Sequence, residues 1–311
     1  MNITNKTIKV YGSAILFTLM IGFSFLGVKT GVEIASALQT LTYRYNFAFL
    51  ASLIPIVLGL AKVDLSGKLR SKYLFITAGF YVGFMILQAI GLMFATSIES
   101  GIIFALIPIL VKIIAWVVLG EKGNWKQNIF VAICVAAVVI MFVLGAQDIS
   151  VSIVGLIILF LSSLSMALSN VFMRYVRNEY KPFTITFAIC LGGFLLFNIA
   201  TLAYGIYTGT LNLYFSPLLH PEFIFSTAFL GIPCTLLSSL LLTYMLAHLQ
   251  AVKATIFGNL STAISIVVGA LILKEPLYIY HIVCTALILI GVIGTSVSTK
   301  AEEESAEAES S

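Results

Sequence analysis

Acidic residues are scarce. Of 311 residues only 13 are Asp or Glu, and five of these lie in the last ten, leaving eight for the 301 residues before them. Charged residues of both signs make up 10% of the chain, against roughly 25% in a soluble domain. With 60% hydrophobic residues and a mean hydropathy of +1.09, this composition cannot cover a domain with polar surface. A soluble globular protein is excluded, and so is disorder outside the acidic end. Cysteine is also sparse. Cys134, Cys190, Cys234 and Cys284 each sit inside an apolar run, with no CxxC and no neighbouring His, so they read as small fillers and no disulfide is expected. His220, His248 and His281 have no metal-ligand spacing, and no metal is expected. HExxH, a GxSxG elbow, a P-loop and a Gly-rich dinucleotide fingerprint are all missing. Enzyme chemistry, a cofactor and direct drive by ATP therefore have no residues to carry them. The apolar run Val10 to Val28 is too long for a signal peptide and no A-x-A site follows it.

Apolar runs separated by short polar breaks fill the rest. They predict ten helices, at 10–29, 37–60, 72–94, 98–118, 127–146, 152–175, 183–207, 223–246, 252–273 and 277–297. Each approaches the ~20 residues that cross a bilayer, and runs this continuous exclude a β-barrel. With the N-terminus in the cytoplasm, thirteen Lys and Arg fall on the inner side, among them Lys6, Lys68, Lys122, Arg177, Lys253 and Lys300. Only Lys29 and Lys274 fall outside. This asymmetry sets both termini inside a multi-pass inner-membrane protein. Basic residues confined to short loops beside apolar runs argue against nucleic acid. Residues 1–9 are a cytoplasmic N-terminus, and the acidic tail at 298–311 is expected to be cytoplasmic and disordered.

The chain repeats itself. Glu99 to Gly123 aligns with Lys253 to Leu277 at an offset of 154, matching Ile102 with Ile256, Leu106 with Leu260, Leu119 with Leu273 and Glu121 with Glu275. Five helices (10–146) followed by five more (152–297) place the second copy upside down, an architecture used by transporters. Several motifs carry a family resemblance: IGFSFLGVK (Ile21–Lys29), Tyr43-Arg44-Tyr45, Pro108 followed by Leu119-Gly120-Glu121, MALSNVFMR (Met166–Arg174) and Leu273-Lys274-Glu275. In order and spacing over residues 10–297 they resemble the drug/metabolite transporter superfamily, in its ten-helix form with two EamA-type repeats. Ile21 stands where that family often has Trp, and Thr262 where its second half has Pro. The resemblance implies carriage of a small organic metabolite, often an amino acid or its derivative and usually outward.

Seven residues are candidates for contacting a substrate. Arg44 and Lys112 are cations inside apolar helices, where charge is costly and faces a cavity or a partner. Lys112 follows Pro108 by one turn, and Pro deprives the Phe104 carbonyl of its donor; snorkelling to the inner headgroups is the competing reading. Ser24, Gln88, Ser169, Asn170 and Asn259 are neutral polar residues suited to a cavity or to bonds between helices. Ser24 and Asn170 sit in corresponding repeat motifs, which are expected to face each other. Tyr43 and Tyr45 read as interface aromatics, and Trp116 and Trp125 as an aromatic belt. Glu121 and Glu275 read as caps for the helix that follows each. Two buried cations and no mid-helix carboxylate favour a carboxylate-bearing substrate carried by alternating access. A sugar, a nucleotide-sugar or a drug-like cation is the alternative cargo; an intramembrane enzyme or a non-transporting sensor is the alternative class. The expected partners are a small-molecule substrate and the lipid bilayer, with assembly as a homodimer left open. In intact cells an impermeant thiol reagent is expected to label Leu213→Cys and spare Lys68→Cys; labelling of Lys68→Cys from outside contradicts the orientation.

Overall fold

A computed structural model describes residues 3–64, 71–119, 125–145, 152–176, 179–242 and 251–310. These residues hold no strand. The helices are α1 (Ile3–Ile34), α2 (Ala37–Val57), α3 (Ser71–Gly91), α4 (Ser97–Phe104), α5 (Ile107–Leu119), α6 (Trp125–Gly145), α7 (Ile153–Val176), α8 (Pro182–Thr208), α9 (Pro221–Gly231), α10 (Ala251–Leu271) and α11 (Ile279–Ser310). Short 3₁₀ turns at Leu211–Leu213 and Ser216–Leu219 precede α9, and a π turn at Ile232–Leu237 follows it. Among the described residues six helices are long and apolar enough to cross a membrane, and three shorter apolar helices accompany them.

Local chemistry sets the boundaries. Ser36 and Gln39 form a capping box that starts α2 within two residues of the end of α1. Pro182 and Pro221 stand at the first turns of α8 and α9, where no intrahelical donor is needed. Gly209 ends α8 in the left-handed conformation, at φ 67°.

The structure departs from the sequence-based expectation in three places. The fourth helix is not continuous. It breaks at Ala105–Leu106 into α4 and α5, because Pro108 brings no N–H to the Phe104 carbonyl. Ser163 of α7 lies against the break, its hydroxyl 3.4 Å from the Ile103 carbonyl and 3.2 Å from the Leu159 carbonyl of its own helix. The eighth helix widens into the π turn at Pro233, for the same reason. Finally, α11 does not stop near 297 but runs to Ser310. The tail expected to be disordered is helical here, since Lys, Ala and Glu are strong helix formers extending a helix already nucleated.

Packing is pairwise. α3 lies along α7, α6 along α11, α1 along α10 and α9, and α2 along α8 and α9; α8 also meets α3, α7 meets α4 and α5, and α4 meets α10. Serines hold α7 to α3. Ser162, Ser165 and Ser169 donate to the carbonyls of Phe84, Phe80 and Thr77 at 2.9, 2.8 and 2.9 Å, the polar bonding that joins helices where lipid offers no hydrophobic drive. Thr42 of α2 meets Thr201 of α8 at 2.6 Å. All four cysteines are buried free thiols.

Glycines permit the closest approaches. A Cβ at Gly193 would strike the ring of Tyr45, whereas one at Gly192 would meet only Ala78, at 3.8 Å. Gly193→Ala should therefore destabilise the purified protein by about 1–3 kcal/mol through overpacking, read as a lower thermal-unfolding midpoint. Gly192→Ala should leave the midpoint unchanged or raise it; equal effects of the two would contradict the packing described.

Candidate functional site

The site grows from Arg44. α2 runs between α8 and α9, and position 44 lands on its inner side with 3% of the residue exposed. The guanidinium Nε–H donates to Thr235 Oγ1 at 2.9 Å. Thr235 lies in the π turn, and its hydroxyl in turn donates to the Leu230 carbonyl at 2.8 Å, five residues back. The π turn thus presents a hydroxyl oxygen, itself fixed on the Leu230 carbonyl, to a buried cation. π turns within α-helices often accompany functional sites. Gly231 lets this approach occur, because a Cβ there would strike the Arg44 carbonyl.

Arg44 carries five N–H donors. Beyond the bond to Thr235, no acceptor and no carboxylate meets the guanidinium among the described residues. Its electrostatic neighbours are neutral: Tyr45, Tyr81, Cys190 and Cys234. Tyr45 is fully buried and its hydroxyl has no hydrogen-bond partner among the described residues. Tyr81 of α3 bonds Ser239, beyond the π turn. α2, α3, α8 and the segment after α9 therefore enclose a cation with an open fork of donors beside an unpaired phenol. That fork matches the two oxygens of a carboxylate or a phosphate.

The other candidate residues lie elsewhere. Ser169 is the last rung of the serine ladder to α3, so its proton is committed to packing. Ser24 donates within its own helix, to the Ile21 carbonyl at 2.7 Å. Gln88 is buried on α3 at 4% exposure. Asn170 is half-buried on α7 and Lys112 half-buried on α5. Asn259 belongs to α10, and its side chain falls outside the described residues. The helices of Ser24 and Asn170 pack on different partners, α1 on α9 and α10 and α7 on α3 and α5, with α4 touching both.

Two sequence-based readings are corrected, one of the tyrosines and one of a carboxylate. Tyr43 and Tyr45 are not interface residues; they are 5% and 0% exposed. Tyr43 ties the chain after α8 to the bundle by donating to the Tyr214 carbonyl at 2.7 Å, and the Tyr45 ring packs at a tilt against Phe197. Glu275 does not cap the helix that follows it. Its carboxylate accepts from the backbone of Ser97 and Ile98 at 2.9 and 3.2 Å, at the start of α4. Glu121, Trp116 and the outer part of the acidic tail's side chains fall outside the described set. Thr235 and Tyr81 carried no distinguishing motif. The one available signal was Pro233, a helix breaker inside an apolar run.

A separate groove of about 490 Å³ opens between α1 and α9, lined by Leu19, Met20, Phe23, Leu26, Phe225 and Phe229 among others. It has no charged lining residue, so it suits acyl chains rather than an anion.

A helical bundle with six helices long and apolar enough to cross a membrane is the fold of a polytopic membrane protein. The chain belongs to the EamA-like transporter family, whose model matches it twice, over residues 8–143 and 153–297. It is 34% identical over 289 residues to the uncharacterized transporter YcxC of Bacillus subtilis strain 168, covering 93% of each chain. An uncharacterized transporter of Archaeoglobus fulgidus is 24% identical over 278 residues, 87% of this chain and 92% of that one. The family that the motifs resembled is thereby the family of this chain.

Thr235→Val should leave both the Arg44 Nε–H and the Leu230 carbonyl without their partner, costing about 1–3 kcal/mol for each buried group so stranded. Thr235→Ser keeps the hydroxyl and should unfold close to wild type. A Val variant as stable as the Ser variant would contradict the bonding described.

Proposed function

We propose that the chain is a secondary transporter that carries a small carboxylate-bearing metabolite, such as an amino acid or its derivative, by alternating access, with export as the net direction. The observation that carries this reading is the buried guanidinium of Arg44, whose donors meet no acid among the described residues. A desolvated cation is costly unless an anion or water answers it, and a transported carboxylate does so each cycle.

The architecture proposed is ten spans in two inverted five-helix repeats, with both termini in the cytoplasm. The helix pairing supports it. Exchanging α1 with α7, α2 with α8, α3 with α9, α4 and α5 with α10, and α6 with α11 turns the pair α3–α7 into α9–α1, α2–α9 into α8–α3, and α1–α10 into α7–α4/α5; each of these pairs packs. Where α6 meets α11 the exchange reaches single atoms. Cys134 Sγ faces the Ile288 carbonyl at 3.6 Å, and Cys284 Sγ faces the Ala137 carbonyl at 3.3 Å. Symmetry-related halves that rock about a shared site are the usual basis of alternating access. A drug-like cation is the weaker cargo, since Arg44 would repel it; an uncharged sugar would leave the fork half used.

In proteoliposomes containing this protein, a panel of labelled amino acids, other carboxylates, sugars and organic cations should show flux for a carboxylate. Arg44→Gln should raise the half-saturation concentration for that compound by roughly tenfold to over a hundredfold, the loss of a charge-assisted bond worth ~1.5–3 kcal/mol. Arg44→Lys should recover part of the affinity, since charge survives without the fork. Lys112→Gln, measured beside them at matched abundance, separates a second substrate contact (higher half-saturation) from snorkelling (no change). Normal half-saturation in Arg44→Gln rejects the site.

A further inference from the structure

A junction between the two matched halves apart from the substrate cluster lies at the start of α4. A helix leaves its first four N–H groups without intrahelical partners. In α4 all four are answered. Thr96 N–H donates to Glu99 Oε2 at 2.7 Å and Glu99 N–H to Thr96 Oγ1 at 3.1 Å, while Ser97 and Ile98 give theirs to the two carboxylate oxygens of Glu275 at 2.9 and 3.2 Å. Half of the cap is therefore supplied by a residue 177 and 178 positions away, in the other repeat.

The chain around Glu275 is built for this reach. Lys274 adopts φ 54°, left-handed and unusual for a side-chain-bearing residue. Glu275 N–H folds back onto the Gly269 carbonyl at 2.9 Å. A Cβ on Gly269 would lie 2.7 Å from Glu275 Oε2 and 2.8 Å from Ile98, so a side chain there displaces the carboxylate. One turn deeper, Gly101 abuts Ser265, and Thr262 donates to the Gly101 carbonyl at 3.2 Å. The hydroxyls of Ser97 and Ser100 are sealed in the same region without hydrogen-bond partners among the described residues; water would satisfy both once α4 and α10 parted. The charged groups here are Glu99, 1% exposed, and Lys29 of α1, which donates to the Leu92 carbonyl at 3.3 Å.

We infer that Glu275 is a positioning residue of the transport cycle: its carboxylate on the α4 N-terminus latches this end of the bundle shut, and the cycle must break those two bonds to open it. A carboxylate suits the task because it accepts two N–H bonds at once and meets the positive end of the helix dipole. Both bonds are lost together when α10 tilts away, which makes the junction two-state rather than gradual. The inference rests on the alternating-access reading, and the sequence offers a counterpart. Glu121 pairs with Glu275 at an offset of 154; it lies outside the described residues and enters only as a variant.

The test uses full-length protein in nanodiscs, where both faces are reachable, with Ser100→Cys as reporter and a water-soluble maleimide as probe. Ser100 is fully buried behind the latch, and the four native cysteines are buried too. Glu275→Gln keeps the size but only one acceptor oxygen, and should speed labelling of the reporter by about tenfold or more. Gly269→Ala, which wedges the carboxylate off α4, should act in the same direction and serves if the Gln variant fails to accumulate. Glu222→Gln, exposed at the start of α9, should leave the rate unchanged. Glu121→Gln should slow labelling or leave it unchanged. Unaltered labelling in both Glu275→Gln and Gly269→Ala overturns the latch, as does faster labelling in every variant, which marks general loosening. Carboxylate flux measured on the same preparations separates the two readings. Flux with unaltered labelling rejects the latch alone; faster labelling in a protein that moves no compound of the panel rejects the substrate reading alone.

Discussion

Hydrocarbon offers no hydrogen bonds, so a chain crossing it must answer every backbone N–H and C=O from within. Most of this bundle meets that demand with regular helix. Proline interrupts that pattern at Pro108 and Pro233, and a hydroxyl lies against each interruption. Ser163 Oγ lies 3.4 Å from the Ile103 carbonyl, and Thr235 donates to the Leu230 carbonyl. The second of these is also where Arg44 docks. The buried cation, the widened turn and the glycine that lets α2 approach it form one arrangement, in which the need to satisfy backbone places a polar group at mid-bundle.

The same demand explains the junction at α4. A helix that starts between two other helices has four N–H groups to satisfy, and water is not at hand. Thr96 and Glu99 supply a local box, and Glu275 supplies the rest from across the bundle. A cap shared between two halves couples helix stability to their relative position. Such a contact resists partial opening, because a buried carboxylate and two stranded amides are each costly to leave unpaired.

Much of the architecture is legible from one chain. Continuous apolar runs, the shortage of acid and the one-sided lysines and arginines lead to a helical membrane protein, and the doubled motif with Glu121 and Glu275 leads to the family. Pro108 marks a real break. The local wiring is less accessible, for physical reasons. Tyr45 looks like an interface aromatic because its hydrophobicity fits either place; only the groove opened by Gly193 on α8 decides that its ring goes inward. Thr235 is one of many hydroxyls in apolar helices, and its role depends on α2 meeting the π turn at Gly231. Glu275 sits next to the start of α11 in sequence, yet the left-handed turn at Lys274 folds it back to α4. Sequence neighbours cannot reveal a contact between residues nearly 180 positions apart. Ser169 shows the converse: a hydroxyl that suits a cavity by composition is used to hold α7 to α3.

The central claim is that two symmetry-related halves expose one buried cationic site alternately to the two ends of the bundle. Spin-label distances test this most directly. One pair, at Met93 and Leu277, spans the end closed by Glu275; the other, at Lys62 and Lys181, links the two halves through different loops. The account predicts two populations for each pair in nanodiscs, with the distance at one end shortening as that at the other lengthens when a transported carboxylate is added. A single unchanging distance for both pairs, or two distances that lengthen together, would contradict it.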